Sequence, residues 1–166
     1  MRPTIFIELR ERLGEALVRE EISRDFLIVC EEGVREFSRL KEESKKYQEI
    51  IVSLKLFSAT HSGEVILGNC ISQLKDAKGR GENPTTLVEL SGLIDEVCDL
   101  GEEVRVAIEQ HDVNSRLRFI RKRTFRVQEE AEEINLIENI DARLDKIPAK
   151  IRKTFIEHLT QPLETG

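Results

Sequence analysis

The residues best equipped for chemistry in this sequence form a basic cluster, in which six cations fall within eleven residues and alternate with apolar side chains. The cluster comprises Arg116, Arg118, Arg121, Lys122, Arg123 and Arg126. Such a stretch can bind anionic lipid headgroups, a phosphate or an acidic partner. A run of charges is also typical of a solvated helix face, and the glutamates of residues 129–133 offer partners for it. We favour the solvated face and retain the cluster as the candidate contact for a protein partner or a lipid.

The carboxylate and imidazole groups form no metal-binding pattern. Glutamates cluster at residues 102–103 and 129–133, but a carboxylate metal site in a bundle needs a Glu-x-x-His pair on facing helices, and the sequence has none. His61, His111 and His158 fall near the ends of predicted elements, where a surface or capping role is expected. We therefore expect no metal and no cofactor.

The thiols and the glycine-rich segment also lack the surroundings that catalysis requires. Cys30, Cys70 and Cys98 are odd in number and unpaired in spacing, so they predict buried thiols in a reducing compartment. Residues 78–81 are basic and glycine-rich but lack the pattern of a phosphate-binding loop, so they predict a turn. With no base, nucleophile or oxyanion site to name, we expect a non-enzymatic protein with no catalytic residues.

The bulk composition is that of one globular domain. The 166 residues are 39% apolar, which is enough for a single core, and we expect residues 1–160 to form one helical-bundle domain with 161–166 as a tail or linker. The net charge of -6 disfavours nucleic acid as a partner. The N-terminus has no signal-peptide pattern, and no uninterrupted apolar run reaches the length of a membrane span, so a cytoplasmic location is expected.

The elements that must position these groups are helices. Thr4 opens a first helix that ends before Ser23, and its apolar face repeats at spacings of three and four. That face consists of Phe6, Leu9, Leu13 and Ala16. A second helix is predicted from Arg24 to Phe57, about 50 Å long, with the heptad pattern of a coiled coil. Its two seam columns are Cys30, Phe37, Ser44 and Ile51, and Gly33, Leu40, Tyr47 and Leu54.

A third helix is expected to start near Ser62 and to stop in a loop over residues 78–84. Its apolar face is Leu67, Cys70, Leu74 and Ala77. A fourth helix should begin at Thr85 or Thr86, where Thr86 and Glu89 have the spacing of a capping box, and it carries the broadest apolar face. That face consists of Leu87, Leu90, Leu93, Ile94, Val97, Leu100, Gly101, Val104, Ala107 and Ile108. This breadth predicts a central helix.

The last long helix is predicted from Ser115 to Lys146, after a turn at residues 110–114, and it matches the second helix in length. Its apolar positions include Ile134, Ile137, Ile140 and Leu144. Pro148 ends or kinks it, and a short final helix follows. The fold class is therefore all-α, an elongated helical bundle of five to six helices.

Four glycines, Gly33, Gly68, Gly92 and Gly101, lie inside predicted helices, where each costs about 1 kcal/mol relative to alanine. One interpretation is close helix approach around phenylalanine rings, and another is a bundle that is loose enough to open. We favour close packing.

The basic segment from Arg116 to Arg123 and the helix that follows it resemble the closing helix of HeLo-like domains. These are the N-terminal helical bundles of fungal and animal cell-death and immune-receptor proteins, in which an aromatic and basic turn precedes an apolar helix. The resemblance covers residues 114–147 and implies a signalling module that self-associates and acts at membranes, with the basic cluster as lipid contact. The acidic net charge and the charged first helix depart from that family.

Our functional hypothesis is an interaction module, an adaptor or oligomerisation bundle that binds a protein partner or itself through a helix face. It rests on the long seam of the second helix, because an apolar seam without a partner inside the chain would pair with another molecule. The alternative is a HeLo-like cell-death or immune-signalling domain acting at anionic membranes.

Overall fold

A computed structural model describes residues 4–47, 50–81, 83–117 and 134–147, together with their side chains except those of 83–84 and 113–117. In these residues the chain forms α1 (Ile5–Arg19), α2 (Arg24–Ser44), α3 (Ile50–Arg80), α4 (Asn83–Leu117) and a fifth helix, α5, over residues 134–147. The prediction of an all-α helical bundle is confirmed, and the five helices of the described residues agree with it.

Helix α1 follows its prediction closely. The Thr4 hydroxyl accepts a hydrogen bond from the Ile7 amide at 3.3 Å, which satisfies one of the free amides of the first turn. The predicted apolar face, Phe6, Leu9, Leu13 and Ala16, is buried. The helix ends at Arg19. Its C-cap residue Glu20 has a left-handed backbone, and the Glu20 amide donates to the Ala16 carbonyl.

The single helix predicted from Arg24 to Phe57 is wrong, because α2 ends at Ser44 and α3 begins at Ile50. The Ser44 hydroxyl donates to the Lys41 carbonyl at 2.7 Å, in competition with the helical ladder. Beyond the break, the Tyr47 hydroxyl donates to the Ala107 carbonyl of α4 at 2.8 Å. A long-range contact therefore accompanies the end of α2, where neither glycine nor proline marks it.

Helix α3 starts well before Ser62, so the N-cap predicted at that residue is also wrong. Its predicted apolar face, Leu67, Cys70, Leu74 and Ala77, is buried. The loop predicted over residues 78–84 is too long, because α3 continues to Arg80 and α4 begins at Asn83, which leaves only a tight turn. Gly81 makes this turn with a φ of +74°, a conformation that favours glycine.

Helix α4 begins at Asn83, so the start predicted at Thr85 or Thr86, with its capping box, is wrong. The helix buries every residue of the broad face assigned to it. The turn predicted at 110–114 is wrong, because α4 continues through it to Leu117. Residues 115–117 thus belong to α4 and not to the last long helix. Residues 134–147 are helical as predicted, while residues 118–133, the final short helix and the tail lie outside the described residues.

The centre of the core is a pair of phenylalanine rings held between glycines. Phe6 and Phe37 lie 4.7 Å apart at their ring centroids. A Cβ at Gly101 would lie 2.5 Å from the Phe6 ring, and one at Gly63 would collide with the Phe37 ring. Close approach is therefore confirmed at Gly101, and also at Gly33 beside Leu67. It is wrong for Gly68 and Gly92, where a Cβ would meet nothing within 4 Å.

Helices α1 to α4 pack in a ring in which each contacts its two neighbours, α4 closes against α1, and α2 also touches α4. Short connections make consecutive helices antiparallel. Helix α5 lies against α3 and α4, because Lys55 pairs with Asp141 at 2.5 Å and Arg143 reaches the carboxylates of α4. Among the described residues, no helix lies over one outer side of α3, where large apolar residues are exposed.

Candidate functional site

Only one residue of the basic cluster lies among the described residues. Arg116 lies in the last turns of α4, and its side chain is not described. Arg118, Arg121, Lys122, Arg123 and Arg126 lie outside the described residues. The cluster therefore stays a prediction, and the structure offers no geometry for it.

The acidic residues of α4 are engaged by arginines from two neighbouring helices. Arg143 of α5 contacts Glu103 at 2.6 Å, Glu96 at 3.0 Å and Asp99 at 3.3 Å. Arg10 of α1 pairs with Asp95 at 2.8 Å and also with Asp99. The network ties α1 and α5 to α4.

The charges in this network stabilise one another. The hydrogen bond that Arg143 donates to Glu103, together with the nearby carboxylates, raises the pKa of Arg143 against the opposing effect of burial. Burial opposes the charge of Arg10 most strongly, but the contacts with Asp99 and Asp95 outweigh it and raise the pKa. Among the described residues, no group of three histidine, cysteine or acidic side chains is arranged to hold a metal ion. We assign the network a structural role.

The three thiols are buried, as predicted. Burial raises the pKa of Cys70 and of Cys98 to about 12, and it raises that of Cys30 as well. A thiol that keeps its proton at neutral pH is a poor nucleophile. The cysteines therefore act as apolar core residues.

The histidines lie inside helices, so the prediction that they sit near element ends is wrong for the two that the structure describes. His61 is exposed in the middle of α3, where its ring lies parallel to that of Phe57 with centroids 6.3 Å apart. His111 of α4 stacks on Tyr47 at 3.7 Å, close to the break between α2 and α3. His158 lies outside the described residues.

The outer face of α3 is the most unusual surface in the described part of the chain. Over about six turns its exposed positions carry no Asp, Glu, Lys or Arg. They are Ile50, Ile51, Leu54, Phe57, Ser58, His61, Val65, Asn69 and Ser72. The first three are exposed by 74%, 71% and 63%. We call this set the α3 outer face.

Charged side chains flank the α3 outer face on both sides. On the α2 side, the amino groups of Lys41 and Lys45 lie 5.9 and 5.8 Å from the centroid of the Phe57 ring, within reach of a cation–π interaction. On the same side, Lys41 pairs with Glu64 at 2.8 Å, and this lowers the pKa of the Glu64 carboxyl. The α5 side carries the pair of Lys55 and Asp141. The flanks resemble the polar rim of a protein interface.

The other helices show how unusual this face is. The chain is 35% charged, and every exposed position of α2 except Ile28 is charged. Within the described residues, α3 alone is long and apolar enough by composition to cross a membrane, and 33% of that stretch is buried in the bundle. Core helices can share that composition, but here much of the apolar surface faces outward.

The sequence prediction found two residues of this surface and missed the rest. Ile51 and Leu54 were placed in the seam of the predicted second helix, and both are exposed. The other six seam residues of the predicted second helix are buried inside the bundle, so they are not available to a partner: Cys30, Gly33, Phe37, Leu40, Ser44 and Tyr47. Phe57, Ser58 and His61 were missed because they flank the wrongly predicted boundary between two helices. The heptad of the predicted second helix continues through Ser58, His61 and Val65, and this continuation was the signal that could have identified the face.

Comparison of the chain with protein-family models, with curated proteins and with solved structures finds no significant match.

Proposed function

We propose that this chain is a non-enzymatic interaction module that binds a protein partner through the α3 outer face. The observation that carries the proposal is that the exposed positions along about six turns of α3 carry no charged side chain, in a chain that is 35% charged. Contiguous apolar surface with a polar rim is typical of interaction sites on globular proteins.

The affinity would come from burial of the isoleucine and leucine side chains at the start of α3. Each large aliphatic side chain contributes about 1.5–3 kcal/mol when it is fully removed from water. Ile50, Ile51 and Leu54 are more than 60% exposed, so most of that free energy is still available to a partner. Lys41 and Lys45 at the rim would supply electrostatic steering and not the bulk of the affinity.

Site-specific photo-crosslinking tests the proposal. A benzophenone amino acid is placed at position 54 on α3 and, as a control, at position 18 on α1, where Val18 is 85% exposed among charged neighbours. We expect position 54 to give a discrete crosslinked protein, in the purified chain or in a cell extract, and position 18 to give none. Equal labelling at both positions, or none at position 54, would contradict the proposal.

A second candidate function is a HeLo-like cell-death or immune-signalling role at anionic membranes. Two observations favour it: the membrane-compatible composition of α3 and the basic cluster predicted from the sequence. In this alternative the cations bind lipid headgroups, and the apolar residues of α3 enter the interface between headgroups and acyl chains.

Flotation with vesicles of phosphatidylcholine and phosphatidylserine tests the alternative. We expect the wild-type chain to float with anionic vesicles only, and we expect charge reversal at Arg121, Lys122 and Arg123 to abolish flotation. If the wild-type chain stays in the soluble fraction with anionic vesicles, as the charge-reversed variant is expected to, the membrane role is excluded.

A further inference from the structure

Helix α3 carries two heptad patterns on opposite sides. The inner one faces the bundle and places Leu56, Gly63, Cys70 and Ala77 in one buried column. The outer one alternates spacings of three and four along the α3 outer face, as a coiled-coil seam does. Its positions are Ile51, Leu54, Ser58, His61, Val65, the half-buried Gly68 and Ser72, and we call them the outer seam. The bundle uses the inner pattern and leaves the outer one without a partner among the described residues.

The outer seam continues the heptad register of α2. In α2 the same two columns are buried, with Phe37 and Leu40 at 0% and 1% exposure. Beyond the end of α2 at Ser44, the heptad register is kept in α3, but its two columns now point away from the core. A pattern suited to helix pairing is thus presented on the surface.

We propose that the outer seam pairs antiparallel with the same seam of a second copy of this chain. The inference rests on the proposed function and names the partner for the same surface. In the register that fits, Ile51 faces Gly68 of the second copy, Leu54 faces Val65, and Ser58 faces His61. One two-fold axis near residues 59 and 60 generates all of these contacts, as in an isologous dimer.

Side-chain size is the first argument for this pairing. The seam is bulky at its start, with Ile51 and Leu54, and small at its end, with Gly68 and Ser72. Only antiparallel pairing sets bulky residues against small ones, and a Cβ at Gly68 would meet nothing within 4 Å, so there is room above it. In a parallel pair the small residues would face each other and leave a gap.

Charge complementarity is the second argument. Lys45 lies beside Phe57, and Glu64 lies two turns further along the same flank of α3. The antiparallel register places Phe57 opposite Glu64 of the second copy. Lys45, which pairs with Glu42 in its own chain, then approaches a carboxylate that Lys41 already holds, and symmetry repeats the contact. Ser58 and His61 at the centre add a polar layer of the kind that specifies register in coiled coils.

Disulfide crosslinking tests the partner and the register together. Leu54→Cys and Val65→Cys are prepared as single variants, and each is oxidised alone and in an equal mixture. Both sites are exposed, so the fold is expected to persist, and circular dichroism checks it. The native cysteines are buried and serve as a constant background.

We expect a covalent dimer in the mixture and none from either variant alone. Equivalent sites in the antiparallel pair lie about 16 Å apart along the helix axis, beyond the reach of a disulfide. A mixture of Val18→Cys and Val88→Cys, exposed valines of α1 and α4, is the control and should stay monomeric.

Each alternative outcome overturns the inference in a recognisable way. A dimer from Leu54→Cys alone would indicate parallel pairing. If no dimer forms but the photoreactive group at position 54 captures a different protein, the surface binds a partner other than a second copy and the proposed function survives. If neither crosslink forms, both proposals fail.

Discussion

Two phenylalanine rings at the centre of the bundle depend on glycines in the facing helices. Phe6 and Phe37 are almost completely buried, and they occupy the space that side chains at Gly101 and Gly63 would need. The entropic cost of a helical glycine is offset here by large buried aromatic area. Gly92 lies in the same helix as Gly101 without any such neighbour.

Gly101→Ala should therefore destabilise the protein by about 1–3 kcal/mol, because the added methyl group overlaps the Phe6 ring in a core that cannot expand freely. Gly92→Ala is the matched control, and we expect it to stabilise the protein by about 0.5–1 kcal/mol. Urea unfolding followed by circular dichroism measures both. Equal effects of the two substitutions would show that the contact between Phe6 and Gly101 is not as tight as described.

At the scale of the elements, α5 is held to the bundle by both apolar and charged contacts. Ile137, Ile140 and Ile147 are buried, and Arg143 lies among three carboxylates of α4. Within the described residues, Arg143 Nε and Glu103 Oε2 are buried without a hydrogen-bond partner, so the network is only partly satisfied.

Replacing Arg143 by methionine should loosen α5 from α4 and lower the free energy of unfolding by about 1–2 kcal/mol, because three carboxylates lose their shared cation. Amide hydrogen exchange over residues 134–147 should accelerate more than exchange in α2. Lys146→Met, at an exposed position of α5, is the control and should leave the exchange unchanged. Unaltered exchange in the Arg143 variant would assign the attachment of α5 to its apolar contacts alone.

The pair of Lys41 and Glu64 joins α2 to α3 and gives a stability that depends on pH. The hydrogen bond from Lys41 lowers the pKa of the Glu64 carboxyl below its ordinary value of 4.5. A carboxyl whose pKa is lower in the folded state stabilises the fold above the unfolded pKa, and this contribution is lost as the pH falls through the folded pKa.

We therefore expect Glu64→Gln to cost about 0.5–1 kcal/mol at pH 7 and progressively less below about pH 4.5, at a fixed protein concentration. Chemical unfolding at several pH values measures this difference. A double-mutant cycle with Lys41→Met isolates the pair, and a difference that does not change with pH would contradict the assignment.

The elements also show where sequence patterns succeed and where they fail. The buried faces of α1 and α4 could be predicted because helical spacing is a local property, and the Thr4 cap also marked the start of α1. The break between α2 and α3 could not be predicted, because the heptad runs through it and neither glycine nor proline marks it. The contact that accompanies the break, between Tyr47 and Ala107, joins residues sixty positions apart in the sequence. The candidate surface was only partly found for the same reason, because which side of α3 faces outward depends on that break.

At the scale of the whole molecule, one heptad register serves two purposes. In α2 it fills the core of the bundle, and in α3 it faces outward as the outer seam. An apolar seam that is left exposed favours association, which is consistent with an interaction module and with pairing of two copies. The bundle thus combines a buried heptad pattern in α2 with an exposed continuation of the same pattern in α3.

Light scattering across a range of concentrations measures this association most directly. We expect the mass of the wild-type chain to rise from 19.1 kDa towards twice that value as concentration increases. Leu54→Lys, which places a charge in the outer seam, should stay at the mass of one chain, whereas Val18→Lys should behave as the wild type does. A wild-type mass of 19.1 kDa at every concentration, or dimers that persist in Leu54→Lys, would contradict pairing through α3.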